Sequence, residues 1–473
     1  MFEAASLATA PAASTPATPR AVPQDVEVAA VLPPQPTTLR DTGLERPLVL
    51  ALLAKTVAHL GKAHLPILGG KLRLSMSVLR EALALMLDEH LIEVARRGDS
   101  DIDIEYQLTG AGQAFAAAAL AQCRYLGPAP VTLDAFCAAI ERDAQRHVLA
   151  GGVGDAELAA ALCDGPGDDM LDAGARLQLG AALHSGRAIL LHGAPGCGKS
   201  TLARKLGRLL RGVVGVPHAI LIDHQIVQFY DPRLHLAPPP AQARQFDERR
   251  SDSRWLICQR PVVHMGSELT REMLDCRFDA AKGMYHAPPQ LQASGGLLVI
   301  DDLGRHGDNA AALVSRLMSP LERGLDVLTL QGGHAETVPF DMTVVFATSC
   351  APQQLLDTAL LRRIAYKIEL TALSPSSYLA LLRRQCGLLQ LPYDEAAATY
   401  LLRQLHGASR RPLLASVPRE LVSRILDAAR FSGATPCLCP AALDQAWQSL
   451  FACSPPVEAA SVVTDHVLLG EKA

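Results

Sequence analysis

The feature that most constrains this chain is a glycine-rich turn set between two apolar segments. Residues 187–201 read RAILLHGAPGCGKST, in which Gly193 and Gly198-Lys199-Ser200 satisfy the spacing G-x-x-x-x-G-K-[ST]. Ala188–Leu191 has the apolar run of a buried strand, and Leu202, Ala203, Leu206, Leu209 and Leu210 share one face of a helix that stops near Gly212. Strand, turn and helix in that order converge backbone N–H groups at a helix N-terminus, where phosphates bind. The candidate cradle is Gly193, Ala194, Pro195, Gly196, Cys197 and Gly198 with the first helical residues Lys199, Ser200 and Thr201. In such a cradle Lys199 reaches the β- and γ-phosphates, and the Ser200 hydroxyl binds Mg²⁺.

A second, acidic motif follows in Gly295-Gly-Leu-Leu-Val-Ile-Asp-Asp-Leu-Gly, its Asp301 lying 102 positions after Lys199. Leu297–Ile300 is apolar throughout, as expected of a strand buried on both faces of a parallel sheet, and its two aspartates arrive at the C-terminal end, where ligands of open α/β sheets bind. Asp301 is expected to hold Mg²⁺, mainly through a water, and Asp302 to orient and polarise the attacking water as the catalytic carboxylate.

The rest of the composition sets limits. At 473 residues the chain has room for two to four domains. With 49% hydrophobic and 19% charged residues it lies far from the disordered corner, and a net charge of -4 gives no global basic field for nucleic acid or an anionic membrane. Eleven cysteines, mostly scattered singly, fit a reducing cytosol and a cytoplasmic location. No secretion signal is read at the N-terminus and no run of apolar residues is long enough for a transmembrane helix.

Residues 1–40 hold seven prolines among Ala, Thr and Ser and are expected to form a disordered tail. From 41 to 121 the pattern is helical and then briefly stranded. Leu79, Leu83, Met86 and Leu87 repeat at helical spacing, and Ile92–Arg97 and Ile104–Leu108 are short strand candidates around a Gly-Asp-Ser turn. Three helices and a two-stranded wing make a winged helix, and Tyr106, Leu108, Thr109 and Gly112 resemble the Y-x-L-T-x-x-G close of bacterial winged-helix domains, with Thr109 capping the next helix. Charge argues against DNA as its partner. Arg40 to Arg124 contains ten basic and ten acidic residues, and Asp99, Asp101 and Asp103 at the wing tip repel phosphates; Lys71 and Arg73 keep the DNA option open.

The order of parts from about 160 to 450 resembles the AAA+ ATPase superfamily. Thr343–Ser349 (TVVFATS) is a third buried strand ending in small polar residues, where the resemblance implies a sensor for the γ-phosphate or the water; Ser349 and Thr348 are the candidates. Leu356-Asp-Thr-Ala-Leu-Leu-Arg-Arg-Ile is similar to the family's D-x-A-L-L-R-R-F segment, implying that Arg362 or Arg363 acts as an arginine finger on a neighbouring subunit's nucleotide. A strand at Tyr366–Leu370 leads into a helical lid, where Val417-Pro-Arg-Glu-Leu-Val is similar to the P-R-x-L start of the second-sensor helix and nominates Arg419. The chain departs from the family in having Asp302 where Glu is usual and a hydroxyl where the first sensor is usually Asn, so slow turnover is an open outcome.

The long spacing between the two motifs leaves room for an insertion containing the 232–240 loop and Trp255–Asp275, and the approach to the second motif resembles the MoxR and chelatase-like branches. Tyr285 or the pair Phe229–Tyr230 are candidate pore-facing aromatics, with core packing as the alternative. His264, His286 and His306 share no zinc-like spacing with cysteines, and no structural metal is expected.

Together these readings imply an α/β fold, a phosphate-loop parallel sheet with a helical lid, preceded by a small winged-helix α+β domain. The expected boundaries are a tail at 1–40, the winged helix at 41–121, a linker at 122–159, the sheet domain at 160–372, the lid at 373–452 and a C-terminal tail at 453–473. The implied activity is Mg²⁺-dependent ATP hydrolysis by a homo-oligomeric ring, a hexamer, that remodels or activates a protein client or adaptor docked on the winged helix, without a membrane partner. A DNA-linked ATPase and a nucleotide-gated switch with little hydrolysis are the alternatives.

Overall fold

The computed structural model describes residues 32–97, 103–149, 154–162, 171–239, 251–306, 309–331 and 333–452. Residues 1–31 and 453–473, Asp99 and Asp101 of the wing tip and most of the Gly/Asp stretch near 150–169 lie outside the described residues.

The N-terminal unit consists of α1 (Arg46–Leu60), β1 (Lys62–His64), α2 (Leu65–Leu72), α3 (Met76–Asp88), β2 (Ile92–Arg96), β3 (Glu105–Leu108) and α4 (Gly110–Gln122). Its three strands form an antiparallel sheet in the order β1-β3-β2. Ser75 caps α3, and Thr109 caps α4 by accepting the Gly112 N–H at 3.0 Å, as the sequence pattern expects. Residues 32–40 are not a free tail. Leu39 is buried, its N–H donates to Glu81 on α3 at 2.7 Å, Ser75 Oγ donates to the Pro36 carbonyl, and Pro34 bridges to Ser251.

The expected linker is instead structured. β4 (Val131–Thr132) and α5 (Leu133–Leu149) belong to a second layer, because Phe136 and Ile140, one helical turn apart, are buried against Val216, Ile220 and Phe229. This layer contains β6 (Val213–Pro217), β7 (Ala219–Ile222), β8 (Gln225–Gln228), β9 (Trp255–Gln259), β11 (Arg277–Asp279) and β12 (Met284–His286), and the hairpin β14 (Leu325–Thr329) and β15 (Ala335–Pro339) adds Leu328 and Val338 to its core. Five of its strands form a mixed sheet in the order β11-β12-β8-β7-β4, and β6 pairs with β9. The expected insertion is thus split, since β10 (Val262–Met265) belongs to the main sheet. Tyr285 and Phe229 are buried in this second core, so the pore-facing alternative fails for both.

The main sheet is fully parallel in the order β10-β13-β16-β5-β17, with β5 at Ile189–His192, β13 at Leu297–Ile300, β16 at Thr343–Thr348 and β17 at Tyr366–Glu369. Both faces are covered, which explains the unbroken apolar runs. Along β13, Leu298 and Ile300 pack on the helices Ala310–Arg323 and Thr358–Arg363, whereas Leu297 and Val299 face Asp155–Leu162, Ala173–Ser185 and Lys199–Leu206. The lid packs the helices Pro375–Leu388, Glu395–Tyr400 (continued by a π-helical stretch Leu401–His406 and by Gly407–Ser409), Val417–Ser432 and Pro440–Phe451 around its own core.

One buried ion pair ties the N-terminal unit to the rest. Arg254 grips the Asp252 carboxylate with Nε and Nη2, and its Nη1 donates to the carbonyls of Thr42 at 3.1 Å and Pro130 at 3.0 Å. Both side chains are only 4% exposed. Removing one partner leaves the other charged, buried and unpaired, so Arg254→Ala or Asp252→Ala is expected to cost about 3–5 kcal/mol in urea unfolding of the full chain. The double replacement Arg254→Met/Asp252→Leu is expected to cost much less than the sum of the singles.

Candidate functional site

The C-terminal ends of β5, β16 and β13 lie side by side, and the residues leaving them converge. After β5 the chain turns through Gly193, Gly196 and Gly198, with φ of 141°, 85° and 97°. Gly193 has no alternative: a Cβ there would stand 2.2 Å from the Leu370 carbonyl oxygen, a backbone atom that cannot step aside. The helix Lys199–Leu206 starts directly after the turn, aiming its first N–H groups back over the loop. Lys199 Nζ donates to the carbonyls of Gly193 at 2.9 Å and Ala194 at 3.0 Å, and burial lowers its pKa against the opposing pull of Cys197, Asp301 and Asp302.

Asp301 follows β13. Burial raises its carboxyl, but hydrogen bonds from His264, the Ser200 hydroxyl and the Asp302 N–H outweigh it and hold the pKa at about 2. Asp302 lies in the left-handed region at φ 53°, its side chain is 48% exposed, and Arg305 Nη1 stands 3.9 Å from its carboxylate. Thr348 and Ser349 at the end of β16 part company. Thr348 is buried, its Oγ1 donating to the Leu303 carbonyl at 2.7 Å and accepting the Cys350 N–H, whereas Ser349 faces the cavity.

These groups line one cavity of about 850 Å³ between the sheet and the lid. Pro195, Gly196, Gly198, Lys199, Ser200 and Thr201 form its floor, with Asp301, Asp302 and Ser349 beside them. Arg419, in the first turn of Val417–Ser432, enters from the lid side. Gly193 and Ala194 contribute the carbonyls under Lys199, and Cys197 turns its side chain into the core, where burial pushes its thiol up. The lid touches the loop directly, Ser416 N–H donating to the Gly196 carbonyl at 3.0 Å. Arg362 and Arg363 do not line this cavity. They sit at the end of Thr358–Arg363, both exposed, with Arg363 Nε 3.1 Å from Glu322 Oε1.

The sequence reading missed Arg305, Arg384, Gln385 and Arg424, which line the same cavity. Arg305 lies three residues after the acidic pair and was within reach of a motif search; the others are surface-like positions on amphipathic lid helices with no local signature. Eight basic and three acidic side chains surround the cavity, a charge balance suited to a polyanion.

The donor set also fits a hard divalent cation. An ionised carboxylate and a hydroxyl in mutual hydrogen-bond contact are oxygen ligands of the kind Mg²⁺ takes alongside phosphates and waters. Among the described residues no group of three or more His, Cys, Asp or Glu side chains gathers to hold a metal without such help.

Comparison with known proteins gives three results. A family model described as a domain of unknown function, DUF8689, matches residues 374–449, the lid. No curated protein matches the sequence. Among solved structures, a Thermotoga maritima RuvB Holliday junction branch migration motor is similar at 15% identity, covering 59% of this chain and 67% of that one with a TM-score of 0.33. NtrX from Brucella abortus in complex with ATP is similar at 14% identity, covering 57% and 55%, with a TM-score of 0.36. No helix among the described residues is long and apolar enough to cross a membrane.

Because Asp301 titrates near 2 in the folded chain against an ordinary 3.8, its ionised form stabilises the fold fully above 3.8, and that contribution disappears as pH falls toward 2. The urea midpoint of the wild type is therefore expected to drop more steeply through this window than that of Asp301→Asn.

Proposed function

We propose that this protein is an ATPase of the AAA+ superfamily that binds ATP with Mg²⁺ in the cavity between sheet and lid. The observation that carries this reading is the convergence of Lys199, Ser200, Asp301, Asp302 and Ser349 from three parallel strand ends, faced from the lid by Arg384, Arg419 and Arg424. Polyphosphate binding follows from the loop N–H groups and the surplus of positive charge. Lys199 exchanges its loop carbonyls for the β- and γ-phosphate oxygens, and Arg419 closes on them from the lid.

Ser200 and Asp301 are the residues that would hold Mg²⁺, which when bound neutralises developing charge on the phosphates. Asp302 is the acceptor for the attacking water's proton. Its half-exposed carboxylate is free of the hydrogen bonds that occupy Asp301, and the left-handed backbone gives the short side chain a different heading from a residue continuing the strand. Ser349 is the first-sensor hydroxyl in this scheme, since Thr348 is committed to Leu303. For a ring, Arg362 is the better finger, because of the two exposed arginines Arg363 is engaged with Glu322.

We read the N-terminal unit as a winged helix that docks a protein client or adaptor rather than DNA. Residues 36–39 are tied to α3 by the Leu39 N–H to Glu81 bond and the Ser75 Oγ to Pro36 carbonyl bond, so the helix that would enter a DNA groove already carries a segment of this chain, although the side chains of Arg73 and Arg80 are exposed. The homo-oligomeric ring, its hexameric form and the cytoplasmic setting belong to this same proposal.

Turnover tests the reading. Lys199→Ala is expected to lose ATP binding and hydrolysis, and Asp302→Asn to retain ATP but hydrolyse it roughly 10²–10⁴-fold more slowly. Arg362→Ala is expected to bind ATP normally alone and to depress the activity of wild-type subunits when mixed with them. Unchanged hydrolysis in both Lys199→Ala and Asp302→Asn would remove the enzymatic claim, and ATP binding without measurable wild-type turnover would leave a nucleotide-gated switch.

A further inference from the structure

Two of the groups that hold Asp301, Ser200 and the Asp302 N–H, belong to the nucleotide motifs themselves. The third, His264, does not. It lies on the edge strand β10, 37 positions upstream of Asp301, and reaches the carboxylate through strand register: His264 pairs with Val299, Met265 with Ile300, and the Asp301 N–H donates to the Met265 carbonyl at 2.8 Å. That register sets His264 Nε2 3.5 Å from Asp301 Oδ2. The turn leaving β10 is braced, since Glu268 accepts the Gly266 N–H at 2.8 Å and Leu269, buried, donates back to the Gly266 carbonyl.

The two carboxylate oxygens are thereby distinguished. Oδ1 accepts the Asp302 N–H at 2.8 Å, and Oδ2 faces His264. A carboxylate held at one oxygen alone rotates readily about its Cβ–Cγ bond, a broad torsion with no deep wells. Held at both, it keeps one plane, and each oxygen retains a lone pair for a water or a cation. We propose that His264 is a positioning residue for the divalent-cation site, fixing the plane of the Asp301 carboxylate so that it and the Ser200 hydroxyl present their oxygens together. The inference rests on the reading of the cavity as a Mg²⁺-nucleotide site.

Outer-shell partners of metal-ligating carboxylates contribute to affinity on the order of tenfold or more when removed. The test is a Mg²⁺ titration of the full-length protein with a fluorescently labelled ATP, read as binding and without turnover. His264→Ala is expected to raise the Mg²⁺ concentration for the half-maximal effect by about tenfold while leaving binding in EDTA unchanged. His264→Gln, whose amide nitrogen ends near the position of Nε2, is expected to restore most of the difference. In an Asp301→Asn background His264→Ala is expected to add no further shift, because the partner it orients is gone. A His264→Ala protein with wild-type Mg²⁺ dependence overturns the proposal, and so does a Gln variant no better than Ala. Failure of the wild type to bind the labelled ATP with or without Mg²⁺ overturns instead the underlying nucleotide reading.

Discussion

The close approach of Gly193 to Leu370 governs the arrangement of everything at the site. β5 is an interior strand, flanked by β16 and β17, and its exit passes directly beneath the Leu370 carbonyl, while the Leu370 N–H donates to the His192 carbonyl at 2.8 Å. A left-handed glycine is the only residue that lets the chain turn there without displacing β17. The same strand that crowds the loop then leads into the lid. Leu373 N–H bonds to the Leu413 carbonyl at 2.8 Å, and Ser416 N–H bonds to the Gly196 carbonyl, so loop and lid are registered against one another by backbone contacts rather than by side chains alone. Arg419 sits one turn beyond Ser416 and inherits that register.

The acidic side of the cavity is organised by a different set of main-chain bonds. Leu303 N–H donates to the Ala347 carbonyl and its own carbonyl accepts from Thr348, which fastens the turn after Asp302 to the end of β16. The left-handed conformation of Asp302, of order 1–3 kcal/mol unfavourable for a residue with a side chain, persists because these bonds over-determine its neighbours. Two hydroxyls adjacent in sequence thus divide the work: the buried Thr348 holds the turn in place, and Ser349 is left facing the cavity.

How much of this was legible in the chain depended on whether the signal was contiguous. The glycine turn, Asp301 and the doubly buried β13 announce themselves because a tight backbone turn, an acidic strand end and a two-sided core each demand particular residues within a few positions. Arg419, which lines the cavity, stands in the short P-R-x-L segment that nominates it. The segment α5 was misread as a linker because its packing rests on Phe136 and Ile140 in a helix otherwise rich in charge, too short a stripe to stand out. β10 was misread as insertion because four residues carrying a histidine have no strand signature of their own; only parallel pairing with β13 defines them. The roles of Arg254 and His264 have no local signal on the same ground: the Thr42 and Pro130 carbonyls that Arg254 bridges are 212 and 124 positions away, and the carboxylate that His264 faces follows the neighbouring strand.

The buried Arg254–Asp252 pair bears on how the N-terminal unit can act. Desolvating two charges recovers little net stability, so the contribution of such a pair is better sought in arrangement: it accepts one geometry of Thr42, Pro130 and Asp252 and penalises others. Apolar packing points the same way. The core of the N-terminal unit continues through Ala219, Ile226 and Met284 into the second sheet, so the two share one hydrophobic cluster rather than meeting across a polar seam. The second layer, through its β6–β9 pair, is in turn joined to the main sheet by the two residues between β9 and β10, the strand that carries His264. A protein docked on the N-terminal unit, as proposed, would be carried on a body continuous with the edge of the main sheet, and the flexible-arm picture that a separate domain and a linker would imply does not fit the described residues.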